Sequence, residues 1–330
     1  MAWSILYKLL GVFIVVALGW VVGRMRWLGD ERRGADPART LSNAAFYIFV
    51  PALLFRTTSR LELATLPWGT LLAFFAPVVA TMFGVYAWQR RLNRRGVLPA
   101  AAPSVRAISA TFGNTLQVGV PMVSALYGEA GLGIHITLVS LHALILLLAL
   151  TTLVELDLAR ARAASAAAAG LVATLRTTLR NTIIHPVVLP VLAGMAWHLT
   201  GLPLPPVVDD ALVLLGTAVV PLCLVLIGMS LAYYGVHGNL RGALGLSLLK
   251  LLLLPLLVLL VGRFGFGLGG LPLAVVVMAA ALPVGSNALI FSQRYETLEG
   301  ETTAAIVLST FLYALTVPVW LWVLARPWWQ

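Results

Sequence analysis

Apolar residues fill this chain in ten stretches of spanning length: residues 6–27, 39–56, 68–88, 104–127, 133–154, 182–200, 211–234, 244–262, 271–292 and 304–325. A helix crosses a bilayer with about 20 residues, and a helix that is apolar on every face must be buried in protein or lipid. The pattern predicts an all-α integral membrane protein with ten transmembrane helices. Ten spans in 330 residues leave short connections and no room for a soluble domain. The first stretch reads as a span and not a cleaved leader, because it is full length, ends at Arg24 and Arg26 and lacks a small-residue cleavage site.

Two of the stretches are interrupted. The fourth contains GNTLQVGVP (Gly113 to Pro121) and the ninth LPVGSNALIF (Leu282 to Phe291). Asparagine, glycine and proline together have no solvent reason to lie at such depth. Unwound backbone inside a membrane survives only where it is buried in protein or lines a cavity. A matched pair of breaks in two halves of one chain marks the central binding site of a secondary transporter. The halves are predicted as a first five-helix repeat over residues 1–155, a short cytoplasmic connection over 156–181, and a second five-helix repeat over 182–330. Five is odd, so the second repeat enters the bilayer in the opposite sense, as an inverted repeat. Asn114 and Asn287 are 173 residues apart, Pro51 and Pro221 170, and Ser140 and Ser309 169. The alanine- and arginine-rich connection serves as a tether or as a helix lying on the inner leaflet.

Composition agrees: 60% of the residues are hydrophobic and 10% charged, against about 25% charged in soluble domains. The formal net charge of +10 invites a nucleic-acid partner, but its distribution excludes one. The odd-numbered connections hold 16 of the 22 Lys and Arg residues and the even-numbered ones 3. Basic residues gather in short cytoplasmic loops, so both termini are expected outside. Trp20, Trp27, Trp68, Trp88, Trp320 and Trp322 fall near span ends, where indoles favour the headgroup zone. Cys223 is the single cysteine and reads as core.

The two motifs and the spans that follow them, with LSTFLYALTVPVWLW after the second, resemble the auxin efflux carrier family over essentially the whole chain. The resemblance implies a scaffold domain and a transport domain, each drawn from both repeats. It also implies a site where the broken fourth and ninth helices cross at mid-membrane, elevator-like movement of that site, and a homodimer through the scaffold helices. The chain lacks the long hydrophilic central loop of the plant exporters, which points to a prokaryotic permease.

At the breaks, each half-helix start offers backbone N–H groups without intrahelical partners at the positive end of the helix dipole. Pro121 fits the first turn of a new half-helix. Pro283 and Gly285 interrupt the ninth stretch, and Ser286 or Asn287 can cap the new start. Asn114 and Asn287 add uncharged amide donors, Gln117 a further one, and Gly113, Gly119 and Gly285 allow close backbone approach. Such a site suits a carboxylate. All twelve acidic residues lie in connections or at span ends, which argues against a carboxylate proton relay. Lys250 is the one charged side chain well inside a span. It reads equally as an attractor for an anion or as a lysine snorkelling to the headgroups. His142 reads as a packing histidine, His135 and His198 lie near span ends, and Pro51 and Pro221 read as kinks.

The expected function is secondary transport of a small organic anion such as malate, malonate or an auxin-like acid, driven outward by the membrane potential. No cofactor or metal is called for, and membrane lipid is the other partner. Sodium- or proton-coupled uptake of an organic acid is the alternative within transport. An intramembrane enzyme or a receptor is disfavoured, because no catalytic motif and no signalling domain stands out.

Overall fold

The computed structural model describes residues 2–29, 37–60, 67–93, 97–165, 184, 186, 188–234 and 240–326. Most of these residues are helical, and no strand occurs among them. The helices are α1 (Ala2–Arg24), α2 (Pro37–Ser59), α3 (Trp68–Leu92), α4 (Ala102–Thr111), α5 (Val120–Ser165), α6 (Val188–Leu199), α7 (Pro206–Tyr234), α8 (Leu240–Gly265), α9 (Gly270–Ala280), α10 (Asn287–Arg294) and α11 (Glu299–Leu324). Six of them, α2, α3, α5, α7, α8 and α11, are long and apolar enough to cross a membrane.

The fourth and ninth apolar stretches are both broken. The fourth is α4, an extended segment from Phe112, a π-helical turn over Thr115–Gly119, and the start of α5. The ninth is α9, an irregular segment over 281–286, and α10. The connection expected at 128–132 shrinks to one residue, Gly128, whose φ of +62° turns the chain inside α5 without the penalty a Cβ would bring. Past that point α5 runs to Ser165, through the first part of the central connection. Of the connection expected over 156–181 as a tether or surface helix, residues 166–181 lie outside the described residues.

The helices carrying the breaks sit in the interior. Every residue of α4 except Arg106 is buried, as is α9 from Val275 to Ala280. Around them, α1 packs on α7, α2 on α6, and α8 on α11. The α1–α7 contact is backbone on backbone: a Cβ on Gly19 would overlap the Val225 carbonyl, and one on Gly228 the Val16 carbonyl. Large apolar side chains such as Leu214, Phe311 and Leu315 point outward, as a lipid-facing surface requires. Trp20, Trp27, Trp68, Trp88 and Trp322 are exposed, whereas Trp320 is not. Trp320 turns inward and donates from Nε1 to the Leu251 carbonyl at 2.8 Å. Pro255, four residues on, has no N–H to offer that carbonyl.

Ion pairs tie the helix ends. Arg56 and Arg60 at the end of α2 hold Asp209 at the start of α7. Arg39 at the start of α2 holds Glu296 and Glu299 at the start of α11. Arg106 of α4 meets Glu301 of α11 through two bonds of 2.7 and 2.9 Å.

Candidate functional site

The two breaks bond to each other. Gly285 N–H donates to the Phe112 carbonyl and Asn114 N–H to the Pro283 carbonyl, both at 2.8 Å, as the segments pass antiparallel at Gly113 and Val284. Each break thus satisfies backbone groups that the other has lost. The approach is close enough that a Cβ on Gly285 would lie 2.8 Å from the Gly113 carbonyl oxygen.

Three side chains take up backbone groups that remain. Ser309 Oγ of α11 accepts from Val284 N–H at 3.0 Å. His135 Nε2 of α5 pairs with the Thr115 carbonyl at 2.9 Å. Lys250 Nζ donates to the carbonyls of Ala280 and Leu282, at 2.5 and 2.7 Å, where α9 ends. Lys250 is 1% exposed, so it does not snorkel to the headgroups. The cationic end meets the negative pole of the helix instead. Neither Ser309 nor His135 was expected at the breaks. The one signal for Ser309 was its repeat relation to Ser140, which in the structure bonds back to Ile136 of its own helix.

A cavity of about 240 Å³ opens on one side of the paired breaks. Gly113, Asn114, Gly285, Ser286 and Asn287 form one wall, with the first residue of each new half-helix, Val120 and Asn287, among the lining. Leu53, Leu54 and Thr57 of α2, Val219 of α7, and Ser140 and His142 of α5 complete it. Among the described residues, no Asp, Glu, Lys or Arg lines it. His142 lines the cavity and lies edge-on to Phe112 at 4.5 Å, and its buried Nδ1 has no hydrogen-bond partner among the described residues.

Ser286 stands at the N-cap position of α10 but makes no capping bond; its hydroxyl meets the Cys223 thiol of α7. Asn287 is the first helical residue and partly exposed to the cavity. Pro283 serves through its carbonyl. Gly119 packs on His135 so tightly that a Cβ would lie 2.6 Å from Nε2. Gln117 falls in the π-helical turn and Pro121 at the second position of α5; their side chains lie outside the described set. Pro51 follows a π-helical turn in α2, and Pro221 lies in mid-α7.

A second, apolar cavity of about 530 Å³ lies between α1, α7 and α11, lined by Trp20, Leu224, Ile227 and Ile306, and it shares only Asn114 with the first. The first cavity lies toward the Arg56–Asp209 end of the molecule. The second lies toward the opposite end, where Tyr233 OH of α7 donates to the Gly29 carbonyl.

The buried breaks, bonded to each other, face a cavity whose lining among the described residues carries paired asparagines and no charged side chain. Residues 4–321 match the family described as membrane transport protein. The chain belongs to that family. Its similar members include an uncharacterized transporter of Methanothermobacter thermautotrophicus, 24% identical over 94% of this chain and 95% of the relative. The uncharacterized transporter YfdV of Escherichia coli K12 is 26% identical over 96% of each chain. The family reading made from the two interrupted motifs thus covers nearly the full length of this membrane transport protein.

Proposed function

We propose that the protein is a secondary transporter of small organic anions, carboxylates of the malate, malonate or auxin-like kind, moved by the membrane potential. The observation that carries this reading is the cavity wall at the paired breaks: two asparagines, two helix starts and no acidic side chain. Amide donors and positive helix poles favour a carboxylate, and a cation would find no counter-charge there. With the cell interior negative, each exported charge gains about 2.3 kcal/mol per 100 mV, roughly a 50-fold concentration ratio. Export of a monoanion therefore needs neither sodium nor protons.

The same proposal includes ten spans in two inverted five-helix repeats, a bacterial inner membrane location, outward termini and elevator-like movement of the crossover. Leu54 of the first cavity and Leu224 of the second are separated by the same 170 residues as Pro51 and Pro221, which supports an inverted relation between the cavities. The scaffold and transport domains and their homodimer belong to this proposal too.

Vesicles reconstituted with the protein should accumulate labelled malonate or malate when an inside-positive potential is imposed without any sodium or proton gradient. Flux that demands a sodium gradient would replace this reading with coupled uptake. Absence of flux across a panel of organic acids would remove the substrate class.

A further inference from the structure

We propose that Lys250 fills a seat for a monovalent cation behind the crossover, so that a tethered ammonium stands where a coupling ion would otherwise bind. Where α9 ends, its last carbonyls have no N–H partners within the helix and carry the negative pole of its dipole. Two oxygens from this stretch, of Ala280 and Leu282, converge on Lys250 Nζ. Unwound carbonyls and half-helix C-terminal ends are the groups that hold sodium in broken-helix transporters. Here a lysine occupies that position.

Three further observations point the same way. Lys250 is almost fully buried and pairs with no carboxylate among the described residues. An isolated buried charge is costly, and packing alone would be served at lower cost by leucine or methionine. The ammonium therefore answers to the carbonyls themselves. The side chain arises from a π-helical turn, Leu249–Leu253, that interrupts α8 at this depth, and such turns cluster at functional positions. Finally, the ammonium stands directly behind the cavity wall: a Cβ placed on Gly113 would lie 3.4 Å from Nζ. Lys250 is not itself a lining residue. In its protonated form it supplies a positive field to the cavity, and it is not released in each cycle.

The bearing on transport rests on the reading of the crossover as the substrate site, but the seat can be tested with no substrate present. Thermal unfolding of purified wild type, Lys250→Ala and Lys250→Met is compared in sodium chloride and choline chloride. Wild type should unfold at the same temperature in both salts. The alanine variant, with the seat emptied, should be less stable in choline and recover by about 5 °C at saturating sodium. The methionine variant, whose chain fills the space, should be destabilised in both salts and show no recovery. An alanine variant indifferent to sodium, or a wild type that sodium stabilises, would overturn the proposal. Should the alanine variant prove too unstable to purify in choline, extraction in sodium decides. Folded protein recovered only there supports the seat. Failure in both salts while Lys250→Met is recovered makes the lysine a structural strut and refutes it. Because these assays contain no organic acid, failure of the substrate assignment leaves their outcome readable.

Discussion

Asn287 illustrates what one residue does at this site. It opens α10, faces the cavity, and its side-chain amide has no hydrogen-bond partner among the described residues. Asn287→Ala should therefore weaken organic-anion binding roughly 10-fold, the worth of one hydrogen bond to a charged group, while the unfolding temperature stays near wild type. Thermal-shift titration of the purified variant with malonate measures both quantities. Gly285 is the contrasting case, since its missing side chain is what admits the Gly113 carbonyl. Gly285→Ala should cost about 1–3 kcal/mol of stability through overcrowding, read as a lowered unfolding temperature without ligand. Both residues were legible in the sequence, because asparagine and glycine are expensive at membrane depth and need a reason. His135 and Ser309 were not. A serine in a membrane helix ordinarily bonds back to its own backbone, as Ser140 and Ser309 both do, and nothing in the residue pattern tells which one will also accept from another segment.

At the scale of elements, the breaks persist because other helices supply what the broken ladders lack. Ser309→Ala would leave the buried Val284 N–H without its acceptor, at a cost of about 1–3 kcal/mol. Unfolding temperature is the measurement. Ser309→Thr, which keeps the hydroxyl, should recover most of the loss. Trp320 and Pro255 follow the same logic: proline frees a carbonyl and an indole from α11 takes it. The positions of the breaks were readable from Gly, Asn and Pro clustered within apolar runs. The tightness of the turn between the fourth and fifth stretches was not, because a single glycine with a positive φ can replace a whole loop. The role of Lys250 was equally hidden. Its depth was evident from the sequence, but the carbonyls it meets lie 30 and 32 residues onward in the chain.

For the whole molecule, charge sits at the ends and orders them. Glu301 is 3% exposed and holds Arg106 of α4 with both oxygens. Glu301→Gln should destabilise by on the order of 3 kcal/mol, because it strands a largely buried guanidinium; loss of monodisperse protein on mild heating would report it. The two cavities, set toward opposite ends and meeting at Asn114, lead to a further test. In a Cys223→Ala background, cysteine at Thr57 should react with an impermeant thiol reagent added outside, and cysteine at Thr310 with reagent added inside. Reaction of both from one face would contradict the opposed arrangement. The cavities themselves were not legible in the sequence, because they arise only from packing. The paired breaks have a mechanical consequence as well. Phe112 with Gly285, and Asn114 with Pro283, form a clasp whose parting would strand four backbone groups in the protein interior. On the proposed reading, cargo held there is not freed by prising the clasp apart; it travels with the clasp, as a stone does with its setting, until the surrounding walls change.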